Sequence, residues 1–168
     1  RYLRRLWAYS VKHVDVIKLA GDVPEGLDDI ELSKEDKALR FEIPSTLKQI
    51  NNDYERLQYN TIVSGVMKML NALDAYNGNN AAVIRECFGL LLRAIYPAAP
   101  HIAHTLWLNL EFAGEIAHAA WPEPAADALT QDEIKLMVQV NGKVRGEIHV
   151  AKDASKAAIE AAALADEG

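Results

Sequence analysis

The sequence predicts a mainly α protein: a helical bundle followed by a small α+β piece made of a β-hairpin and a helix. Two observations carry this prediction. Apolar residues recur at three- and four-residue steps through most of the first 110 positions, the period of helices that bury one face. Two runs of alternating apolar residues then flank Asn141-Gly142, the pattern of a hairpin.

The elements follow in order. Leu3, Leu6, Trp7, Val11, Val14 and Ile17 predict one amphipathic helix reaching about Leu19. Gly21, Pro24 and Gly26 end it and open an acidic loop. Ser33 with Asp36 marks the start of a second helix running toward Tyr59, with acids in the first turn favoured by the helix dipole. Pro44 predicts a kink or break near Ile43. Ile62, Val66, Met69, Leu70 and Leu73 share one face of a third helix over 61–76. The Asn77-Gly78-Asn79-Asn80 stretch stops it and caps a fourth over about 81–96. Pro97 and Pro100 force a corner before a fifth helix over about 101–110, packed through Leu106, Trp107 and Leu110.

Residues 111–133 read as irregular, rich in Ala, Pro and acids, and anchored by Trp121-Pro122. This linker gives an expected division into a helical domain over 1–128 and an incomplete α+β domain over 129–168. In the hairpin, Leu136, Val138 and Val140 alternate on one strand and Val144, Ile148 and Val150 on the other. A two-residue Asn-Gly loop would set Val138 opposite Arg145 and mix the faces. A three-residue loop, Val140-Asn141-Gly142, keeps Val138 facing Val144, with Gln139 beside Lys143 and Met137 beside Arg145. A helix over 153–165 follows. One hairpin and one helix are too little for an independent core, so at least one further strand is expected. Both ends of the chain read as cuts through a larger protein.

The 168 residues are half hydrophobic and a quarter charged, a globular composition. No run approaches the roughly 18 consecutive apolar residues of a membrane helix, and no signal-peptide pattern is present. Cys87 is the one cysteine; it lies in a helical apolar pattern with Ile84, Leu91 and Ile95 and reads as a core thiol. A cytoplasmic setting fits. The net charge of −6 conceals blocks: +4 over residues 1–20, −6 over 21–36, −6 over 101–133 and +3 over 134–152. Phosphates feel the local field rather than the total, so an acidic balance does not exclude RNA. Solvated surface is the plainer reading of charge alone.

No catalytic constellation emerges. His101 and His104 lack the further ligands a zinc site needs. Ser10 and Ser64-Gly65 lack the strand–turn–helix of a nucleophile elbow. Gly78, Gly89 and Gly114 are isolated, so no phosphate-cradling loop exists. Lys143 and Arg145 are the sharper pair: a rigid hairpin presenting both suits sugar–phosphate contacts, Arg as a bidentate fork. Arg1, Arg4, Arg5, Lys12 and Lys18 form a second basic group.

The order of these motifs resembles the C-terminal part of bacterial leucyl-tRNA synthetase, a class I aminoacyl-tRNA synthetase. The stretch Arg56-Leu57-Gln58-Tyr59-Asn60-Thr61, followed by Met67 and Asn71, resembles the link between two helices of that family's anticodon-binding domain. Leu91 through Trp107, with Pro97, Pro100 and His101 at its centre, is similar to the family's Pro-x-x-Pro-His corner, and Trp121-Pro122 follows it. These recur in the valine and isoleucine enzymes; Val140-Asn141-Gly142-Lys143-Val144-Arg145 is more specific to the leucine enzyme. Pro44 departs from the longer unbroken helix expected there.

The resemblance implies an antiparallel bundle of the class I anticodon-binding type that docks tRNA(Leu), with a truncated C-terminal domain. It implies tRNA contacts at Lys143 and Arg145, with Arg4, Arg5 and the isolated Arg56 as further candidate cations, and motif roles for Asn60, Pro97, Pro100, His101, Trp107, Trp121, Asn141 and Gly142. It implies no catalytic or metal-binding residue and no cofactor in this segment; ATP and Mg would serve the complete enzyme. Expected partners are the upstream catalytic and editing domains of the same chain, with no membrane and no DNA. Two alternatives stand beside it: the same region of valyl- or isoleucyl-tRNA synthetase, and a non-enzymatic helical protein-interaction module, which requires an exposed apolar patch.

Overall fold

A computed structural model describes residues 1–21, 31–123, 133–140 and 143–151, the last two as backbone strands. The chain divides into two compact units, Arg1–Leu129 and Thr130–Gly168. In the first unit the elements are α1 (Tyr2–Lys12), α2 (Val14–Leu19), α3 (Lys34–Glu55), α4 (Tyr59–Ala75), α5 (Ala81–Ile95), α6 (Pro100–Asn109) and a 3-10 turn at Ile116–His118.

Helix α5 is the hub, packing against α2, α3, α4 and α6. Its sequence explains why: Val83, Ile84, Cys87, Phe88, Leu91, Leu92, Ala94 and Ile95 are all buried, so the helix is apolar nearly all round and needs neighbours on several sides. Leu39, Ile43, Leu47 and Ile50 of α3 and Ile62, Val66, Met69, Leu70 and Leu73 of α4 join it in the core, with Leu6, Ile17 and Leu106 from α1, α2 and α6. The connection from α3 to α4 is short, which returns α4 alongside α3.

The helix starts follow local chemistry. Ser33 caps α3 in a reciprocal box: its Oγ accepts from the Asp36 N–H at 3.1 Å, and Asp36 Oδ2 accepts from the Ser33 N–H at 3.0 Å. Asn80 caps α5, its Oδ1 accepting from the Val83 N–H at 3.3 Å. Pro100 occupies the first turn of α6, where its missing N–H costs nothing.

The structure corrects several expectations. The first helix is broken at His13, whose φ of −110° and ψ of 13° leave the helical region; its ring stacks on Tyr9 with centroids 4.3 Å apart. The buried face is also rotated. Leu6, Tyr9, Ser10 and Ile17 go inward, whereas Leu3, Trp7 and Val11 remain 42–58% exposed. Both stripes have helical spacing, and Tyr9, whose ring packs on Phe88, selects the other one. Pro44 does not break α3, which runs through it. Ile43 and Pro44 are both buried, and their packing compensates the one backbone bond that proline removes.

In the second unit, β1 (Glu133–Val140) and β2 (Lys143–Ala151) form an antiparallel pair. The register differs from the three-residue loop expected. Val140 pairs with Lys143, Gln139 with Val144, and Val138 with Gly146. Arg145 is therefore the extra residue of a β-bulge. A bulge is the other way to repair an even loop, and it repairs it within the strand. The expected helix over 153–165 lies outside the described residues, as do Asn141 and Gly142.

Candidate nucleic-acid interface

Two of the expected cations lie on β2, Lys143 as its first residue and Arg145 at the bulge. The remaining three lie in the helical unit, and the structure does not bring them together. Arg4 is exposed on α1. Arg5 reaches across to α4, its Nη2 donating to Asp74 Oδ2 at 2.5 Å and to Asn71 Oδ1 at 2.9 Å. Arg56 is exposed at the C-terminal end of α3.

The turn that carries Arg56 has a defined geometry. The Leu57 N–H donates to Tyr54 O at 3.1 Å and the Gln58 N–H to Asp53 O at 2.8 Å, the paired bonds of a Schellman motif. Such a motif needs a left-handed residue, and here it is Leu57, with φ of 56°. Asn60 is exposed in the first turn of α4, and Thr61 Oγ1 donates to Gln58 O at 2.7 Å, stitching turn to helix.

The motif residues assigned to folding sit in structural positions. After α5 the backbone turns through Tyr96, Pro97 and Ala98, with the N–H groups of Ala98 and Ala99 both bonded to Ile95 O at 2.9 Å. Trp107 is buried, stacks on Phe112 and donates from Nε1 to Gly114 O at 3.2 Å. Trp121 is 44% exposed; its Nε1 donates to Asn51 Oδ1 at 3.0 Å, and its ring meets Tyr54 edge-on at 5.1 Å. Asn51 Nδ2 in turn donates to Pro122 O at 3.1 Å, holding the segment that leaves the bundle against α3. His101 is exposed, and α6 begins without a side-chain cap, its start set by Pro100.

Sequence reasoning missed the polar framework of the core. Arg85 is buried and donates to three carbonyls, Ile17 O at 3.0 Å, Leu110 O at 2.9 Å and Glu111 O at 2.7 Å. Arg40 forms a two-pronged pair with Glu86, at 2.7 Å and 3.0 Å. Asp36, Tyr76 and Asn80 form a third cluster, with Tyr76 donating to Asp36 Oδ1. Burial alone would raise the Asp36 carboxyl, but hydrogen bonds from Tyr76, Ser33 and Asn80 together hold it below its ordinary value. Burial, then the hydrogen bond to Asp36, pushes the Tyr76 hydroxyl up. A cation or acid amid an apolar helical pattern is the only signal such groups leave, and it does not name the partner.

Nothing in this framework is arranged for catalysis. Burial first, then the charge of Glu86, raises the Cys87 thiol well above its ordinary value, which keeps it a protonated core group and a poor nucleophile. Among the described residues no three His, Cys, Asp or Glu side chains are grouped to hold a metal, and no helix is long and apolar enough to cross a membrane. The arrangement offers dispersed surface cations on a rigid helical frame, which suits a phosphate backbone.

The chain is 52% identical over 180 residues to a leucine–tRNA ligase of Acidovorax sp. (strain JS42), covering 99% of this chain and 20% of that protein. It is 51% identical over 172 residues to a leucine–tRNA ligase of Leptothrix cholodnii, covering 98% and 19%. It thus spans about a fifth of the length of these curated relatives. Among solved structures, it superposes with a TM-score of 0.84 and 25% identity on a chain of the ternary complex of Agrobacterium radiobacter K84 agnB2 LeuRS, tRNA and LeuAMS, covering 98% of this chain and 21% of that one. A family model described as the anticodon-binding domain of tRNA ligase matches residues 36–161. That match takes in α3 through α6 and both strands, and the chain belongs to the anticodon-binding domain family of tRNA ligases.

Proposed function

We propose that this chain is the tRNA-positioning part of a leucyl-tRNA synthetase, an enzyme that ligates leucine to tRNA(Leu) using ATP. The observation that carries the reading is identity of about half over essentially the whole chain to proteins named leucine–tRNA ligase. The segment itself contributes binding and orientation. ATP and Mg serve the catalytic part of the enzyme, and no residue here is assigned to them. The helical domain over 1–128 docks the tRNA, and 129–168 opens a C-terminal α+β domain whose Lys143 and Arg145 contact sugar–phosphate. Arg4 and Arg56 add further phosphate contacts; Arg5 contributes less, because Asp74 already engages it. The enzyme works in the cytoplasm.

The exposed stripe of Leu3, Trp7 and Val11 on α1 is the kind of patch that the protein-interaction reading requires. In our reading it docks against the catalytic part of the same polypeptide, since the relatives are about five times as long as this chain. The test is aminoacylation by the complete polypeptide. Leucine-dependent charging of tRNA(Leu), without valine or isoleucine charging of their own tRNAs, is the expected result. Charging with valine or isoleucine instead, or no tRNA binding at all, would overturn the reading.

A further inference from the structure

Two helices in this bundle end in Schellman motifs whose left-handed residue is not glycine. At the end of α6 it is Glu111, with φ of 56°; the Glu111 N–H bonds to Leu108 O at 3.0 Å and the Phe112 N–H to Trp107 O at 3.1 Å. At the end of α3 it is Leu57, also at 56°. A side chain at such a position is strained relative to glycine. Glu111 has a use within the chain, an ion pair with Lys18 at 2.7 Å. Leu57 is 69% exposed, so no core packing compensates its backbone. An exposed, strained apolar side chain points to a contact outside the chain.

Its neighbours suggest what that contact is. Tyr59 is 58% exposed, and its ring is braced edge-on by Tyr54 at 6.4 Å and 81°. Tyr54 is itself fixed, its hydroxyl donating to Ala94 O at 3.0 Å and its ring meeting Trp121. Leu57, Gln58, Tyr59, Asn60 and Thr61 line a shallow cleft of about 400 Å³, roomy enough for one planar base. Gln58 and Asn60 are exposed carboxamides, able to donate and accept in one plane. Arg56 adjoins the cleft as an exposed cation.

A preset aromatic face, carboxamides at its edge and an adjacent cation match what a single-stranded nucleotide offers: a π-face, a hydrogen-bonding edge and a phosphate. A protein partner would use the apolar side chains and leave the cation and the paired carboxamides unexplained. We propose that the α3–α4 turn is a seat for one unpaired base of the bound RNA. Tyr59 and Leu57 hold the base, Gln58 and Asn60 contact its edge, and Arg56 takes the flanking phosphate. This rests on the tRNA-positioning reading above. It adds a stacked base to a surface otherwise expected to contact phosphates.

The test uses the complete polypeptide and transcribed tRNA. Replacing the exposed Tyr59 by p-benzoylphenylalanine and irradiating the complex should place a crosslink on a nucleotide in a loop or bulge. In parallel, Tyr59→Ala should weaken tRNA binding at least about fivefold with an unchanged salt slope, while Tyr59→Phe stays within about twofold, because stacking needs the ring alone. A crosslink confined to polypeptide, or a Tyr59→Ala variant that binds as the parent does, would overturn the seat and leave the tRNA-positioning reading intact. A parent protein that binds no tRNA would remove both.

Discussion

The guanidinium carbon of Arg85 lies 4.3 Å from the centroid of the Phe112 ring. The same group reaches the carbonyls of Ile17, Leu110 and Glu111, near the C-terminal ends of α2 and α6. Helix C-termini carry unsatisfied carbonyls and partial negative charge. One buried cation thus ties two helix ends to α5 and holds the ring that closes over it.

Arg85→Lys is therefore not conservative. A single ammonium cannot reproduce the fork and the ring stacking, and carbonyls left buried without donors are costly. Thermal unfolding should show a loss of roughly 3 kcal/mol, or about 10 °C for a chain of this size. A melting temperature within about 2 °C of the parent would refute the tie.

Gly65 of α4 packs against α3. A Cβ placed there would lie 2.5 Å from Ile50 Cγ1 and 2.9 Å from its Cδ1, and Ile50 is fully buried. Helix propensity favours Gly65→Ala by up to about 1 kcal/mol; overpacking costs about 1–3 kcal/mol and should win. Denaturant unfolding of Gly65→Ala, Ile50→Ala and the pair checks this: the pair should cost less than the sum of the singles. Additive costs would mean the two residues do not meet.

These two contacts show where the sequence stops being legible. Periodicity located α4 through its one apolar face and α5 through its dense apolar run, the Pro97–Pro100 corner placed α6, and Ser33 and Asn80 announced the starts of α3 and α5. In α1 the periodicity was degenerate: Leu3, Trp7 and Val11 form one stripe, Leu6, Tyr9 and Ser10 another, and only the neighbouring helices decide between them. Pro44 does not interrupt α3, because the packing of Ile43 and Pro44 overrides the local rule. In the candidate site, the Arg56–Thr61 motif was visible as a helix link. Leu57 in the left-handed region was not, since leucine carries no signal for that conformation.

The hydrogen bonds around Asp36 make stability depend on acid. Its folded-state carboxyl titrates below the ordinary value of 3.8, so the carboxylate's contribution is complete above that pH and is lost as pH falls through the lower folded value. The parent should therefore lose melting temperature below about pH 4 more steeply than Asp36→Asn, which has no proton to take up. At neutral pH, Asp36→Asn should already be destabilised by about 1 kcal/mol through the weakened capping box. Parallel acid profiles for the two proteins would show that Asp36 titrates normally in the fold.

The proposed phosphate contacts differ from stacking in their response to salt. Each phosphate neutralised by a cation releases counterions, and the slope of log affinity against log salt counts those contacts. In the complete polypeptide, Lys143→Ala with Arg145→Ala should weaken tRNA binding and reduce that slope by roughly two, whereas Arg5→Ala should change it least among the candidate arginines, because Arg5 is already held by Asp74 at 2.5 Å. The pair on α1 and α4 is half exposed on both sides, so its loss should cost no more than about 1 kcal/mol of stability. An unchanged slope in the double variant between about 50 and 200 mM salt would remove Lys143 and Arg145 from the interface. A large slope change in Arg5→Ala would instead mean that tRNA competes successfully with Asp74, and that the interface lies on the N-terminal helix.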